Sequence, residues 1–188
     1  MKRCLILLLC VCGLLSGCER NTFSPQSIID VYSEARQISA QAEIATVSGV
    51  LMTYSIGYER MPDSTVVTIL EPDSLTGISA RLGEDGATLV FDGAEAETLL
   101  PAVAGFVPVD ALEHTLQDLA QKIPSEYCFE TYHGADAIAV TYREEIGGYQ
   151  TEKRVWLQKG DLAVLGAAYY LDGRQVMTLR NTVFQIYG

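Results

Sequence analysis

The sequence has few of the residues on which enzyme chemistry depends. It contains two histidines in 188 residues, His114 and His133. Neither belongs to a His-Glu-x-x-His pair, a cysteine-rich run or a carboxylate cluster. The sequence also has no Gly-x-Ser-x-Gly elbow, no Walker loop and no Gly-x-Gly-x-x-Gly turn after a strand. These absences predict a domain that is not an enzyme, with no catalytic residues, no metal and no cofactor.

Basic residues are scarce as well. Thirteen Lys and Arg residues stand against 24 Asp and Glu residues, which gives a formal net charge of −11. An acidic surface repels nucleic acid and anionic lipid headgroups, so we expect neither to be a partner. Attachment to a membrane would then depend on acyl chains rather than on basic patches.

The N-terminus has the pattern of a secretion signal. Met1-Lys2-Arg3 is a basic start, residues 4–15 are almost wholly apolar, and Leu15-Ser16-Gly17-Cys18 places small residues before a cysteine. The apolar run is too short for a membrane-spanning helix, which needs roughly 20 residues. Leu-Ser-Gly-Cys resembles the lipobox of bacterial lipoproteins, whereas an ordinary secretory signal would make the cysteine incidental.

The lipobox resemblance implies that Cys18 is diacylated and that the chain is cut just before it. Residues 1–17 would then be a signal peptide and residues 18–23 a lipidated tether. The mature protein would be held at the extracytoplasmic face of the cell membrane by its lipid anchor.

The remaining cysteines predict no internal disulfide. Cys4, Cys10 and Cys12 fall in the predicted signal peptide, which leaves Cys128 as the one free thiol of the mature chain. Cys128 lies between Tyr127 and Phe129 in a strand-like run, and we expect it to be a small buried hydrophobe, as free cysteines commonly are.

The periodicity predicts a helix, a run of strands, a second helix and a second run of strands. Apolar residues at spacings of three and four predict helices over 25–37 and from Asp110 to Pro124. We expect Asp110 and Glu113 to form a capping box, and Leu112, Leu116, Leu119 and Ile123 to line the buried face. Alternating patterns predict the strands 40–50, 52–58, 65–71, 75–82, 87–91, 127–133, 137–143, 149–158, 162–171 and 174–187.

Short turns such as Asp172-Gly173 join these strands, so neighbouring strands must pair antiparallel. The predicted fold class is α+β, with one large curved antiparallel sheet and helices packed on one face. We expect residues 24–188 to form a single domain.

Apolar residues occur at both alternating sets of positions in the strands 162–171 and 174–187. A strand with one face in water should alternate cleanly, so this pattern requires cover on both sides, an apolar cavity or an apolar partner. The first explanation makes these residues ordinary core. The others make Leu165, Tyr169, Leu179 and Val183 a candidate surface for an apolar ligand or partner.

Three stretches resemble the LolA/LolB/RseB lipoprotein-carrier superfamily, particularly its lipoprotein members in Gram-positive, clostridia-like bacteria. Residues 65–71 with Pro72 and 75–80 resemble its early strands, residues 87–93 resemble its strand ending in Asp-Gly, and residues 172–176 leading to 183–184 resemble its closing hairpin. The resemblance implies an unclosed half-barrel with helices across its concave face and an apolar interior.

The resemblance also implies a function without catalysis. The first expectation is a cell-envelope lipoprotein that binds a lipid, an acyl chain or a lipoprotein non-covalently. The alternative is a protein-interaction adaptor that holds or activates a cell-envelope enzyme such as a cell-wall amidase, since one clostridial branch looks like germination lipoproteins. A permanent anchor at Cys18 would disfavour shuttling between membranes.

Overall fold

The computed structural model describes residues 23–48, 50–83, 86–98 and 103–188. The predicted signal peptide and Cys18 lie outside these residues. Within the described part of the chain, no helix is both long and apolar enough to cross a lipid bilayer.

Two helices and eleven strands make up most of the described residues. Helix α1 spans Gln26–Glu34 and helix α2 spans Ala111–Gln121. The strands are β1 Gln37–Ser48, β2 Val50–Met61, β3 Ser64–Glu71, β4 Ser79–Leu82, β5 Ala87–Phe91, β6 Ala94–Thr98, β7 Glu126–Tyr132, β8 Ala135–Ile146, β9 Tyr149–Gln158, β10 Val164–Leu171 and β11 Arg174–Tyr187.

All eleven strands form one antiparallel sheet in the order β6-β5-β4-β3-β2-β1-β11-β10-β9-β8-β7. Strands β1 and β11, which come first and last along the chain, pair at the centre of the sheet. Strands β6 and β7 are its two edges, so the sheet is not closed into a barrel. Because consecutive strands β6 and β7 lie at opposite edges, the chain between them has to cross the sheet, and α2 lies in that crossing. The predicted α+β class and open sheet are confirmed.

The two faces of the sheet differ as the alternation in β1 predicts. Ile38, Ala40, Ala42 and Ile44 are buried in the core with both helices, whereas Gln41 and Glu43 are exposed. We call the helix-covered side the inner face and the opposite side the outer face.

Two β-bulges account for much of the two-faced pattern in the late strands. Pairing of β10 shifts between Val164 and Gly166, and pairing of β11 with β1 shifts opposite Gln41 and Ala42, so each strand gains an extra residue. An extra residue reverses the alternation beyond it. Val164, Ala167 and Tyr169 therefore belong to one core despite their odd spacing.

Helix α1 packs its apolar side against the sheet and against α2. Ile28 and Tyr32 are buried, and the Tyr32 hydroxyl donates to the backbone carbonyl oxygen of Leu162 at 2.6 Å. The helix begins close to the predicted position, after Ser24 and Pro25.

Helix α2 buries Leu112, Leu116 and Leu119 as predicted. Ile123, expected on the same face, is 70% exposed. The helix ends at Gln121, so the helical spacing that linked Ile123 to this face no longer applies.

The predicted capping box at the start of α2 is wrong. The Asp110 side chain makes no cap hydrogen bond to the helix. Its carboxylate instead accepts from the backbone N–H groups of Gly105, at 2.9 Å, and Val107, at 3.3 Å. The Glu113 carboxylate accepts from the Tyr58 hydroxyl on β2, which draws it away from the helix start.

Strand β6 was not predicted, because four of its five residues alternate Ala with Glu and give it no strongly apolar face; in the structure all five are exposed. The predicted strand 75–82 is shorter in the structure: a 3-10 helix occupies Asp73–Leu75 and strand β4 begins only at Ser79.

The prediction that Cys128 is buried is wrong. Cys128 is exposed on the outer face of β7, where its Sγ lies 3.8 Å from an Arg154 nitrogen. Because β7 is an edge strand of the described sheet, no neighbouring strand of that sheet covers its free side.

A buried ion pair fastens α2 to the sheet. Lys153 on β9 donates to Asp118 on α2, and both side chains are buried. The half-exposed Lys122 also reaches Asp118 at 2.8 Å and Glu144 at 2.6 Å. Asp118 thus has two cationic partners. Lys153 has a single acidic partner, because Asp118 is the one acid among the described residues within salt-bridge distance of it.

Replacing Asp118 should destabilise the domain more than replacing Lys153. We expect Asp118→Leu to lower the free energy of unfolding by about 3–5 kcal/mol, because it leaves the buried Lys153 ammonium unpaired. Lys153→Met should cost less, since Asp118 keeps Lys122. Urea unfolding of both single variants and of the double variant measures the loss in free energy of unfolding. Equal losses for Asp118→Leu and Lys153→Met would contradict this prediction.

Gly105→Ala should be more damaging than an alanine at a comparable glycine. Gly105 has φ +79°, and a Cβ there would lie 2.7 Å from the His114 Cβ on α2. Gly173 has φ +75° with nothing within 4 Å of the added atom, so it is the matched control. Gly173→Ala should cost about 1–2 kcal/mol from backbone strain alone. Gly105→Ala should cost about 1–3 kcal/mol more from overpacking, measured by urea unfolding.

Candidate functional site

An apolar cavity of about 260 Å³ lies on the inner face of β2 to β5, beneath the segment that leads into α2. Its lining is shared by strand residues and by this segment. It comprises Tyr54, Ile56, Val67, Ile69, Ile78, Ser79, Ala80, Leu89, Pro108 and Val109.

Strand alternation gives the cavity its lining. Ile56 lies opposite Ile69, Val67 opposite Ala80, and Ala80 opposite Leu89. Residues opposite each other in antiparallel strands share a face, so the apolar side chains of four strands converge. Ala80 is small, which leaves room that a larger residue at this position would fill.

The chemistry of the lining favours apolar contact over catalysis. None of the described residues around the cavity is charged, and their only side-chain polar groups are the hydroxyls of Tyr54 and Ser79. The Tyr54 hydroxyl already contacts the Met52 sulfur at 3.5 Å. An apolar pocket of this kind suits an apolar group better than a charged or strongly polar one.

The cavity roof is held by polar contacts just outside it. Pro108 and Val109 immediately precede Asp110, whose carboxylate binds the backbone of Gly105 and Val107. Burial raises the pKa of Asp110 above its ordinary value, and the two backbone hydrogen bonds oppose that rise. His114 on α2 lies 3.9 Å from the same carboxylate.

Buried tyrosine hydroxyls also bind α2 to the sheet. The Tyr169 hydroxyl lies 2.8 Å from the Thr115 hydroxyl, and it donates to the backbone oxygen of Ala111 at 3.2 Å. Burial raises the pKa values of Tyr169 and Tyr58 above their ordinary values. Both are therefore neutral hydroxyls that position the helix.

The structure does not bring the four predicted surface residues together at this cavity. Tyr169 and Leu179 are buried in the common core. Leu165 is the unpaired residue of the β10 bulge, and Val183 is 44% exposed beside the β11 bulge. Their role as a ligand or partner surface stays a prediction, as does lipidation of Cys18, which lies outside the described residues.

Sequence reasoning missed the cavity because its strands look ordinary. Tyr54 and Ile56 share one apolar face in a cleanly alternating strand, which is typical of any core-facing strand. The available signal was Ala80, a small residue at an inner position facing two larger apolar neighbours. That signal has meaning only once the strand order is known.

The described residues contain no group of three or more His, Cys, Asp or Glu side chains that could hold a metal ion. The absence of an active site stays a prediction from the sequence.

No protein-family model matches the chain, and no curated protein matches it. Solved structures do match. An uncharacterized conserved protein from Thermus thermophilus is 12% identical, with a TM-score of 0.56 over 88% of this chain and 89% of that one.

Two other solved structures match less closely. A putative outer membrane lipoprotein-sorting protein domain from Vibrio parahaemolyticus is 12% identical, with a TM-score of 0.49 over 86% and 90% of the two chains. A chain in the complex of the CwlD amidase with the GerS lipoprotein, from Clostridioides difficile, is 14% identical, with a TM-score of 0.43 over 92% and 100%. At these identities the likeness concerns the fold alone. The open antiparallel sheet with helices on one face, which the sequence resemblance implies, is a fold that the Thermus thermophilus structure shares over 88% of this chain.

Proposed function

We propose that this chain binds an apolar ligand, in the first place a lipid acyl chain, non-covalently in the cavity of β2 to β5. The observation that supports this is the described lining, in which eight apolar side chains and no charged group surround the space. A lipid anchor at Cys18 is part of the proposal and would keep the site beside a membrane, where acyl chains are abundant.

The cavity volume limits what can bind. A cavity of about 150 Å³ accepts benzene, and sites for drug-sized ligands begin near roughly 300 Å³. A space of about 260 Å³ therefore suits one segment of a single acyl chain rather than a whole two-chain lipid. Burying about six methylene groups would contribute about 5 kcal/mol, from which the cost of ordering the ligand has to be subtracted.

Filling the cavity should abolish ligand binding without unfolding the protein. In Ala80→Leu, the added side chain occupies the space between Val67 and Leu89. We expect binding of a fluorescent long-chain fatty acid to the chain from Glu19 onward to weaken at least roughly tenfold. Thermal unfolding followed by circular dichroism checks the fold.

Ala45→Leu is the control for this experiment. Ala45 lines a separate groove of about 470 Å³ on the outer face, so this variant should bind like the parent. If Ala45→Leu weakens binding and Ala80→Leu does not, the ligand occupies the outer groove and the proposal is wrong. If the parent binds no fatty acid and instead retains a stoichiometric envelope protein in pull-downs, the adaptor function replaces it.

The anchor has its own test. Cys18→Ala should remove labelling by a radioactive fatty acid and release the protein from the membrane fraction, because the proposed acyl chains are attached through the Cys18 thiol. A Cys128→Ala control should label like the parent. Labelling that survives in Cys18→Ala would show that the lipobox interpretation is wrong.

A further inference from the structure

Three aromatic side chains, two of them exposed, form a cluster at the β7 edge of the sheet. The ring of Phe23 lies 5.1 Å from that of Tyr127 and 5.9 Å from that of Phe129, both edge-to-face. Tyr127 is 44% exposed and Phe129 is 55% exposed. Tyr127 and Phe129 thus face water, whereas Phe23 is partly buried and also packs against the core.

The cluster continues the apolar inner face beyond the part that the helices cover. Tyr127 lies opposite Val140 and Phe129 opposite Ile138, and both β8 residues are buried in the core. Among the described strands, none pairs with the other side of β7. Grouped apolar side chains at an open edge mark a contact surface.

The chain length to Cys18 limits what that surface can meet. Phe23 is a member of the cluster and lies five residues after Cys18. Five residues span at most about 18 Å when fully extended. An acylated Cys18 would therefore hold Phe23 within about 18 Å of the membrane surface, whatever path the tether takes.

We propose that the aromatic cluster of Phe23, Tyr127 and Phe129 rests on the lipid surface to which Cys18 anchors the chain. Tyrosine rings favour the level of the lipid headgroups, and phenylalanine rings insert at the boundary between headgroups and acyl chains. Lys159, whose Nζ lies 5.7 Å from the centre of the Phe129 ring, can extend its ammonium to the headgroups from the same place. Because the whole chain carries a net charge of −11, anionic headgroups would repel it, and we expect the contact to depend on the apolar rings and to form on uncharged lipid.

Fluorescence quenching in vesicles tests the proposed contact. The lipidated mature chain, from Cys18 onward, is reconstituted into phosphatidylcholine vesicles, with or without lipid brominated near the glycerol end of its acyl chains. Phe129→Trp adds a reporter to the cluster, and Phe91→Trp adds one on β5, near the opposite edge, where the native Phe is also 55% exposed. Trp156, the single native tryptophan, is measured in the parent and subtracted.

We expect brominated lipid to quench the added emission of Phe129→Trp at least about twofold more than that of Phe91→Trp. Equal quenching, or stronger quenching of Phe91→Trp, would overturn the orientation and leave the cluster for a protein partner. A parent chain that does not float with the vesicles is not anchored, and that result overturns the proposal as well. Thermal unfolding confirms that both variants fold.

Discussion

The pairing of Lys153 with Asp118 places a charged contact in the interior, and much of the inner face depends on it. An open sheet has no closed barrel to shield its apolar side, so a helix has to cover that side. Buried charges are tolerated when they are paired and hydrogen-bonded. Here the pair fixes α2 in place, and α2 in turn fixes the segment with Pro108 and Val109 that forms the roof of the cavity.

The cavity and the aromatic cluster belong to different parts of one inner face. The cavity lies on β2 to β5, where the roof segment covers apolar side chains without filling the space. The cluster lies at β7, where the same face reaches the edge of the sheet and meets water. A ligand site and a membrane contact could therefore act on the same molecule without competing for residues.

The sequence predicted helices and strands well where the spacing of apolar residues reflects one buried face. The strands 149–158 and 174–187 match the structure end to end, and α2 buries Leu112, Leu116 and Leu119. Prediction failed where the outcome depended on contacts that a periodic pattern does not encode. The Asp110 carboxylate accepts a hydrogen bond from the backbone of Gly105, and Cys128 lies exposed on a strand at the edge of the sheet. The cavity was out of reach, because only the strand order places Ala80 between Val67 and Leu89.

The pairing of β1 with β11 at the centre of the sheet has a consequence for how the protein matures. Every other neighbouring pair consists of consecutive strands, which can pair one hairpin at a time. Pairing of β1 with β11 instead brings Gln37 together with Tyr187, which are far apart in the sequence. Contacts this distant in sequence form slowly. A chain that emerges N-terminus first would leave one side of β1 unpaired until β11 has been made, and such an edge is a template for aggregation. A premature stop within the 14 residues of β11 would therefore leave part of β1 without its partner although the other ten strands had been made.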